Sequence, residues 1–310
     1  MSVTGERSMV AVITGATASG KSALAMAVAE RIGGTIINAD ASQMYADLRV
    51  ITARPSVADE ARVPHLLYGA LAGDEIGHAA SWAAMAHAAI DDVLAVGRVP
   101  ILVGGTGLYL TTLIDGIAPV PEIDADVRAA VRGLETVDAA AALLREDPAL
   151  AARLKAADRQ RILRGLEVVR SSGRSLLAWQ AVRSGGIGTA YKIRPWVAEM
   201  PRPMLNERAT ARLWAMVEGG ALDEVAALLA RGLPDDRPVM RALGVAAFGS
   251  ILRGEATVAE AVEKVATGTR QYQKRQSTWA RSQAGDWPRV SPSDPDAAAL
   301  LAACIFSQCK

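Results

Sequence analysis

Residues 15–22 read Gly15-Ala16-Thr17-Ala18-Ser19-Gly20-Lys21-Ser22, directly after a short apolar run, Met9 to Thr14. The spacing G-x-x-x-x-G-K-[ST] turns backbone N–H groups inward around a phosphate chain. Lys21 adds a point charge and Ser22 offers a hydroxyl to Mg²⁺. A helix opening at Lys21 aims its positive end at the same place. That helix, Ser22 to Arg31, is apolar at Ala23, Leu24, Ala27 and Val28. A Gly-rich surface turn would account for the glycines, but not for a Lys-Ser pair set between strand and helix. Strand, loop and helix in this order commit the chain to an α/β architecture built around a polyphosphate.

The same alternation continues. Thr35–Asn38 and Ile101–Val103 are short, apolar and β-branched at their centres, the pattern of buried parallel strands. Ala79 to Val96 reads as a helix closing before Gly97. A doubly wound parallel sheet follows, flanked by helices, with functional residues at the strands' carboxyl ends. After Pro119-Val120-Pro121 the character changes: residues 124–182 hold no plausible strand and read as short helices rich in Ala and Arg. Strand character returns at Tyr191–Val197, then a helix from about Pro203 to Gly219, and further helices to about Ser282. The expectation is a P-loop NTPase-like core over 1–120 and 184–290, a helical insertion over 121–183, and a terminal segment over 291–310.

Composition sets limits. Hydrophobic residues make up 51% and charged residues 22% of the 310 residues, and the net charge of +1 excludes a uniformly basic surface. No stretch approaches the roughly 20 apolar residues that span a bilayer, and the N-terminus lacks a signal-peptide core. Cys304 and Cys309 cannot supply four zinc ligands, and a disulfide across so short a loop is not expected. A cytoplasmic protein without a membrane segment is expected.

Asp40 lies two residues past the strand ending at Asn38, at the sheet edge that carries the phosphate loop. A carboxylate beside a bound polyphosphate holds Mg²⁺ or accepts a proton from a nucleophile; a turn Asp capping the next segment is the plainer alternative. Gly104-Gly105-Thr106-Gly107 reaches the same edge and adds a hydroxyl, although a tight strand-to-helix turn explains it equally well. Residues 152–183 contain eight Lys/Arg against two Asp/Glu, and residues 270–289 five against one. At 100° per residue Arg270, Lys274 and Arg281 share one helix face, with Tyr272 and Trp279 opposite. An amphipathic helix with Tyr and Trp packed inward and its charges merely solvated is the plainer reading; two basic stretches in a near-neutral chain shift it toward a polyanion footprint. His65, His78 and His87 form no metal-ligand spacing.

Taken together, the residues resemble the tRNA dimethylallyltransferases (the IPP transferase family) along nearly the whole chain. The resemblance rests on G-A-T-A-S-G-K-S at 15–22, I-N-A-D-A-S-Q-M-Y at 37–45, T-A-R-P at 52–55 and P-H-L-L at 64–67. It continues with P-I-L-V-G-G-T-G-L-Y at 100–109, D-R-Q-R-I-L-R-G-L-E-V at 158–168 and T-R-Q-Y-Q-K-R-Q-S-T-W at 269–279. It implies transfer of a dimethylallyl group from dimethylallyl diphosphate to N6 of adenosine 37, just 3′ of the anticodon, in tRNAs reading codons that begin with U. The cofactor would be Mg²⁺ and the partner the anticodon stem-loop of tRNA, and a monomer is expected. By the resemblance Asp40 takes the proton from the amine and Thr106 stands near the reacting centre. Arg212 reaches the diphosphate held by residues 15–22, with Ser22 on the metal. The tRNA contacts it implies are Asp40, Ala41, Ser42, Gln43, Thr106, Arg128, Gln160, Arg161, Ile162, Leu163, Arg164, Arg241, Gly244, Lys274, Arg275, Gln276, Trp279 and Arg281.

The chain departs from the family pattern at four places. Ala16 stands for Pro, Ala41 for a Ser, Ile51 for a Gly, and Val245 for the Tyr of a Gly-Tyr pair. None removes the phosphate loop, Asp40 or Thr106. The rivals are a small-molecule or nucleotide kinase, whose loop and sheet would look alike, a prenyltransferase acting on free adenine nucleotides, and a non-enzymatic RNA-binding protein. The first gives the helical insertion no tRNA to bind, the 158–168 and 269–279 blocks argue against the second, and the third leaves Lys21 and Asp40 without a task.

Overall fold

The computed structural model describes residues 7–306. It divides into two compact units, Met1–Leu113 with Ile187–Lys310, and Ile114–Gly186. The first begins with β1 (Met9–Gly15), the phosphate loop and α1 (Lys21–Ile32). Next come β2 (Gly34–Asn38), a 3₁₀ turn over Ala41–Met44, α2 (Val57–Arg62), β3 (His65–Leu66), α3 (Ala79–Ala95), β4 (Val99–Gly104) and α4 (Gly107–Asp115). The strands run parallel in the order β3-β2-β4-β1, with β1 at the centre of the complete sheet.

The helical unit follows. It comprises α5 (Ala125–Arg132), α6 (Thr136–Glu146), α7 (Pro148–Ala151), α8 (Arg159–Ser172) and α9 (Leu176–Gln180). Its own core joins Val131, Leu143, Leu150, Ile162 and Leu166. The unit is wider than the expected 121–183 because Ile117 and Ser184 pair as an antiparallel bridge, exchanging N–H···O bonds of 3.0 and 3.1 Å. That pairing draws the entering and leaving segments into the unit.

The chain then completes the sheet with β5 (Lys192–Ala198), α10 (Arg202–Glu218), α11 (Ala221–Ala230), α12 (Val245–Leu252), α13 (Val258–Gln283), β6 (Arg289–Val290) and α14 (Ala297–Phe306). β5 pairs with β1, and β6 with β5. The strands β3 and β6 carry two residues each, too short to leave an alternating pattern.

Val10 to Ile13 of β1 are completely buried. A parallel strand covered on both faces needs apolar residues on both, so the run is continuous and not alternating. On one face Leu24, Ala25, Val28 and Ala29 of α1 meet Ala11, Ile13, Ile36 and Ile101, and α14 adds Leu301 and Ile305. The terminal segment, read from the sequence as a final packed helix over Ala297–Phe306, packs into the main core; each such buried Leu or Ile contributes about 1.5–3 kcal/mol. Trp82 of α3 donates from Nε1 to the Asn38 carbonyl at 2.9 Å and stacks on Tyr109 with ring centroids 4.4 Å apart. Asn38 is therefore held two residues before Asp40. Cys304 is disulfide-bonded, against expectation; Cys309 lies outside the described residues. Among the described residues no helix is long and apolar enough to cross a membrane.

Candidate active site

The loops after β1, β2, β4 and β5 all open at one edge of the sheet, where parallel α/β folds place ligands. Gly20 enters α1 at φ 95°, a left-handed conformation that suits glycine, and Ala18 adopts φ 68° at the tip of the loop. A Cβ on Gly15 would stand 2.5 Å from the Ala198 carbonyl oxygen, so the loop passes β5 in close contact.

Two glutamines of α13 hold this loop from above. Gln276 Oε1 accepts the Thr17 N–H at 2.7 Å while its Nε2 donates to the Gly105 carbonyl at 3.1 Å. Gln273 Nε2 donates to the carbonyls of Thr17 at 2.9 Å and Leu205 at 3.3 Å. One loop amide is therefore already engaged, and Ser19 N–H bonds to the Ala16 carbonyl. The expected unbroken run of free amides shortens toward the helix end, where the first N–H groups of α1 have no intrahelical acceptor.

Inside the loop Lys21 Nζ touches only the Ala16 carbonyl, at 3.5 Å. Burial of the ammonium is the main cause of a pKa lowered to about 8; the nearby charge of Asp40 opposes this and that of Arg212 adds to it. The guanidinium of Arg212 on α10 is desolvated in the same space, which lowers its pKa, again opposed by Asp40. Neither cation has an ion-pair partner within 4.0 Å among the described residues, and Arg212 Nε and Ser19 Oγ are buried without a hydrogen bond. Two clustered cations with orphaned polar atoms form a cradle for an anion. Ser22 is exposed at the same helix end.

Asp40 is 7% exposed and caps the 3₁₀ turn. Its Oδ1 accepts from Ser42 N–H at 3.0 Å and Ser42 Oγ at 2.7 Å. Ser42 thus occupies one carboxylate oxygen, and the other is left for a ligand in the cleft. Thr106 Oγ1 accepts the Ala41 N–H at 2.9 Å, tying the loop after β4 to this turn. Burial, followed by the Asp40 charge, raises the pKa of the Tyr272 phenol, opposed by the neighbouring Thr106, so the phenol keeps its proton. Tyr272 was not picked out from the sequence as a site residue, because aromatic spacing on an amphipathic helix signals packing. Lys21, Ser22, Asp40, Ser42, Gln43, Arg212, Arg241, Tyr272 and Arg275 line one cleft of about 390 Å³.

On the opposite side of α13, Arg270, Lys274, Ser277 and Arg281 line a second cavity of about 590 Å³ that reaches Gly15 and Ala16. The helix face expected from 100° spacing is present. Lys274, Arg275, Arg281 and Arg241 are exposed. Gln276 is instead buried on the phosphate loop. Trp279 packs its ring over Gly107, donates from Nε1 to Thr111 Oγ1 at 3.2 Å and meets Trp287 edge-on. Both serve the scaffold because α13 turns that side onto the β4–α4 loop. Gly244 is buried at φ 102°, where a Cβ would press on Ile51 Cδ1 at 2.7 Å, and Val245 is 1% exposed. The departures at 51 and 245 are thus neighbours, Ile51 packing against the glycine that precedes Val245. Ala41 and Ser42 are partly exposed, and Ser42 supplies the hydroxyl on Asp40.

In the helical unit Gln160 and Arg161 are exposed on the first turn of α8, Arg164 on the next, and Arg128 is half-buried on α5. Arg161 pairs with Asp158 at 3.5 Å, and Arg164 with the buried Glu167 at 3.7 Å. Ile162 is 2% exposed and Leu163 packs beside it, so both belong to the core of this unit.

Comparison with known proteins agrees with this site. A family model described as IPP transferase matches residues 43–283, and one described as isopentenyl transferase matches residues 8–68. The chain is 54% identical over 281 residues to a tRNA dimethylallyltransferase of Sphingopyxis alaskensis, covering 90% of this chain and 92% of that one. It is 51% identical over 279 residues to the tRNA dimethylallyltransferase of Rhodospirillum rubrum, with 88% and 85% covered. The crystal structure of a tRNA isopentenylpyrophosphate transferase from Bacillus halodurans superposes with a TM-score of 0.68 at 28% identity, covering 97% of this chain and 95% of that chain. A phosphate loop facing a carboxylate, in a chain so similar to these enzymes from end to end, belongs to the tRNA dimethylallyltransferase family.

Proposed function

We propose that this protein transfers the dimethylallyl group of dimethylallyl diphosphate to N6 of adenosine 37 in tRNAs that read codons beginning with U, acting as a cytoplasmic monomer on the anticodon stem-loop. The observation that carries the reading is the placement of Lys21 and Arg212, both without an ion-pair partner among the described residues, beside Asp40. A kinase needs the cations; a group transfer to an amine also needs an acceptor for the amine proton.

The allylic C1–O bond breaks as the N6–C1 bond forms, and diphosphate departs. Lys21, Arg212, Ser19 and the first amides of α1 hold the departing charge, which lowers the barrier to breaking that bond. N6 then gives up one proton to the carboxylate oxygen of Asp40 that Ser42 leaves free. Thr106 fixes the turn that carries Asp40, and the adenine leaves its stack to reach the cleft.

Mg²⁺ belongs to the proposal through Ser22. Among the described residues no group of three His, Cys, Asp or Glu side chains could hold a metal. The single Ser22 hydroxyl at the end of the phosphate loop would suit a cation that keeps waters and takes most ligands from the diphosphate, as Mg²⁺ does; when bound it would help neutralise the leaving group. The exposed Lys274, Arg275, Arg281 and Arg241 of the core, and Arg128, Gln160, Arg161 and Arg164 of the helical unit, are proposed to contact tRNA, mainly through phosphates.

The deciding experiment offers radiolabelled dimethylallyl diphosphate to an anticodon stem-loop with adenosine at positions 36 and 37, to the same RNA with adenosine 37 replaced by guanosine, and to AMP. Label is expected in the first alone. Comparable transfer to AMP, or ATP hydrolysis with no transfer to RNA, would overturn the reading. A second test concerns the charged face of α13. Changing Lys274 and Arg281 together to Ala is expected to weaken stem-loop binding and to reduce the slope of log Kd against log salt by about 1–2, since single-stranded RNA releases about 0.7 counterion per contact. The KM for the diphosphate should not change. An unaltered slope would mean that this face is only solvated.

A further inference from the structure

Glu224, in the first turn of α11, does not cap its own helix. Its carboxylate reaches the loop after Tyr45, where Oε1 accepts the N–H groups of Arg49 at 2.5 Å and Val50 at 2.8 Å, and Oε2 accepts that of Ile51 at 2.9 Å. A carboxylate that gathers three successive amides fixes their directions and, through them, the turn that follows. The turn is closed further by Thr52 Oγ1 on the Leu48 carbonyl at 2.6 Å and by Ala53 N–H on the Val50 carbonyl at 3.0 Å. Ala53 adopts φ 53°, a left-handed conformation that costs a non-glycine residue energy and persists only where its surroundings enforce it.

The turn aims the carbonyls of Thr52 and Ala53 at one side chain. Gln43 Nε2 donates to both, at 2.9 and 2.8 Å. Both amide hydrogens of Gln43 are consumed, so in a residue that lines the cleft the side-chain atom left for a ligand is Oε1, an acceptor only. A second contact from α11 ends the chain of supports: Arg231 pairs with Asp47, and with Asp74 at 3.6 Å.

We infer that Glu224 is a positioning residue for RNA recognition: it holds the 49–53 turn, which locks the Gln43 amide and so presents a single acceptor to a hydrogen-bond donor of the RNA. Glu224 touches neither Lys21 nor Arg212, and the diphosphate side of the cleft is built without it. The inference rests on the proposed reaction, and its signature is a separation of the two substrates.

The test is steady-state transfer with Glu224→Gln, varying stem-loop RNA and dimethylallyl diphosphate separately. Glutamine keeps the size and two acceptor contacts but turns an N–H₂ toward the Ile51 N–H. The KM for RNA is expected to rise about tenfold to a hundredfold, the loss that follows when a charged hydrogen-bond acceptor leaves its donors. kcat at saturating RNA and the KM for the diphosphate should hold within about twofold. Because the effect passes through Gln43, Glu224→Gln and Gln43→Ala should be far from additive in a double-mutant cycle. Asp47→Asn, which slackens the outer contact, should move the RNA KM in the same direction by a smaller factor, and it serves if Glu224→Gln does not fold. An unchanged RNA KM, additive effects, or a fall in kcat matched by a lost fraction of active sites would make Glu224 a brace for the fold and overturn the inference. The wild-type protein, run alongside, separates the two ideas. Absence of transfer and of stem-loop binding in the wild type sinks the proposed reaction, whereas an active wild type with an unmoved variant sinks only the role of Glu224.

Discussion

Asp40→Asn is expected to lower kcat for prenyl transfer about 10²–10⁴-fold, the range for losing a positioned general base, while the Kd for stem-loop RNA stays within about threefold of wild type. The substitution is well suited to this question because the geometry separates two jobs of one side chain. Asparagine Oδ1 can still accept from Ser42 N–H and Oγ, the contacts of 3.0 and 2.7 Å that cap the 3₁₀ turn. The turn should therefore survive, along with the Ala41–Thr106 contact beside it. What disappears is an oxygen able to take a proton. Single-turnover rates and filter-binding Kd values measured on the same preparation check this. Loss of RNA binding in step with rate would make Asp40 a recognition residue; a rate near wild type would remove it from the proton transfer.

Affinity for the diphosphate is expected to depend on pH through Lys21. The ammonium titrates near 8 in the free protein, below its ordinary 10.5, because burial disfavours its charge. On the proposed function the diphosphate binds the protonated form, so affinity corrected for the ligand's own protonation should be flat below pH 8 and fall about tenfold per pH unit above it, until the ammonium of the complex itself titrates. The sign follows from linkage: a bound anion favours the charged form and raises the pKa, so binding takes up a proton where the free protein has lost one. Lys21→Met should abolish the break near pH 8 and lower kcat/KM about 10²–10³-fold, as when a transition-state donor is removed. Asp40 raises the Lys21 pKa, so in Asp40→Asn the break should move to lower pH. Calorimetric titration with inorganic diphosphate between pH 6.5 and 9.5 measures each of these. A pH-independent affinity would show that Lys21 is not the cation that meets the diphosphate.

Much of the frame was legible before the fold. The phosphate loop, the strands before and after α1, the strand-free stretch near residues 124–182 and the charged face of α13 each follow from local spacing. Apolar runs, loop glycines and 100° periodicity reflect interactions among neighbours in sequence. The two-residue strands β3 and β6 were not legible, since their ladder partners lie elsewhere in the chain and two residues carry no period. Nor was the extent of the helical unit, set by a bridge between Ile117 and Ser184.

The candidate site divides along the same line. Lys21, Ser22 and Asp40 could be placed by counting from the ends of strands. Gln276 and Trp279 could not, because their motif reads equally well as an RNA contact or as a scaffold. Only the packing of α13 turns Gln276 onto Thr17 and Gly105 and Trp279 onto Gly107. Glu224 carried no signal at all: an acidic residue in the first turn of a helix is ordinary helix chemistry, and its three amide partners lie more than 170 residues away.

From its residues alone this protein was committed to a parallel α/β core that binds a polyphosphate at one sheet edge, since a phosphate loop is a local device, complete within eight residues and its flanking elements. The tertiary structure alone decided which side chains complete that device. It left Lys21 and Arg212 beside Asp40 without ion-pair partners among the described residues, and it gave Ser42, Thr106 and two buried glutamines the work of holding the loops around them. The physical reason is that desolvation and hydrogen-bond geometry depend on what surrounds a group in space, and the helices that bring Arg212 and the two glutamines to this site lie more than 150 residues further along the chain than the phosphate loop.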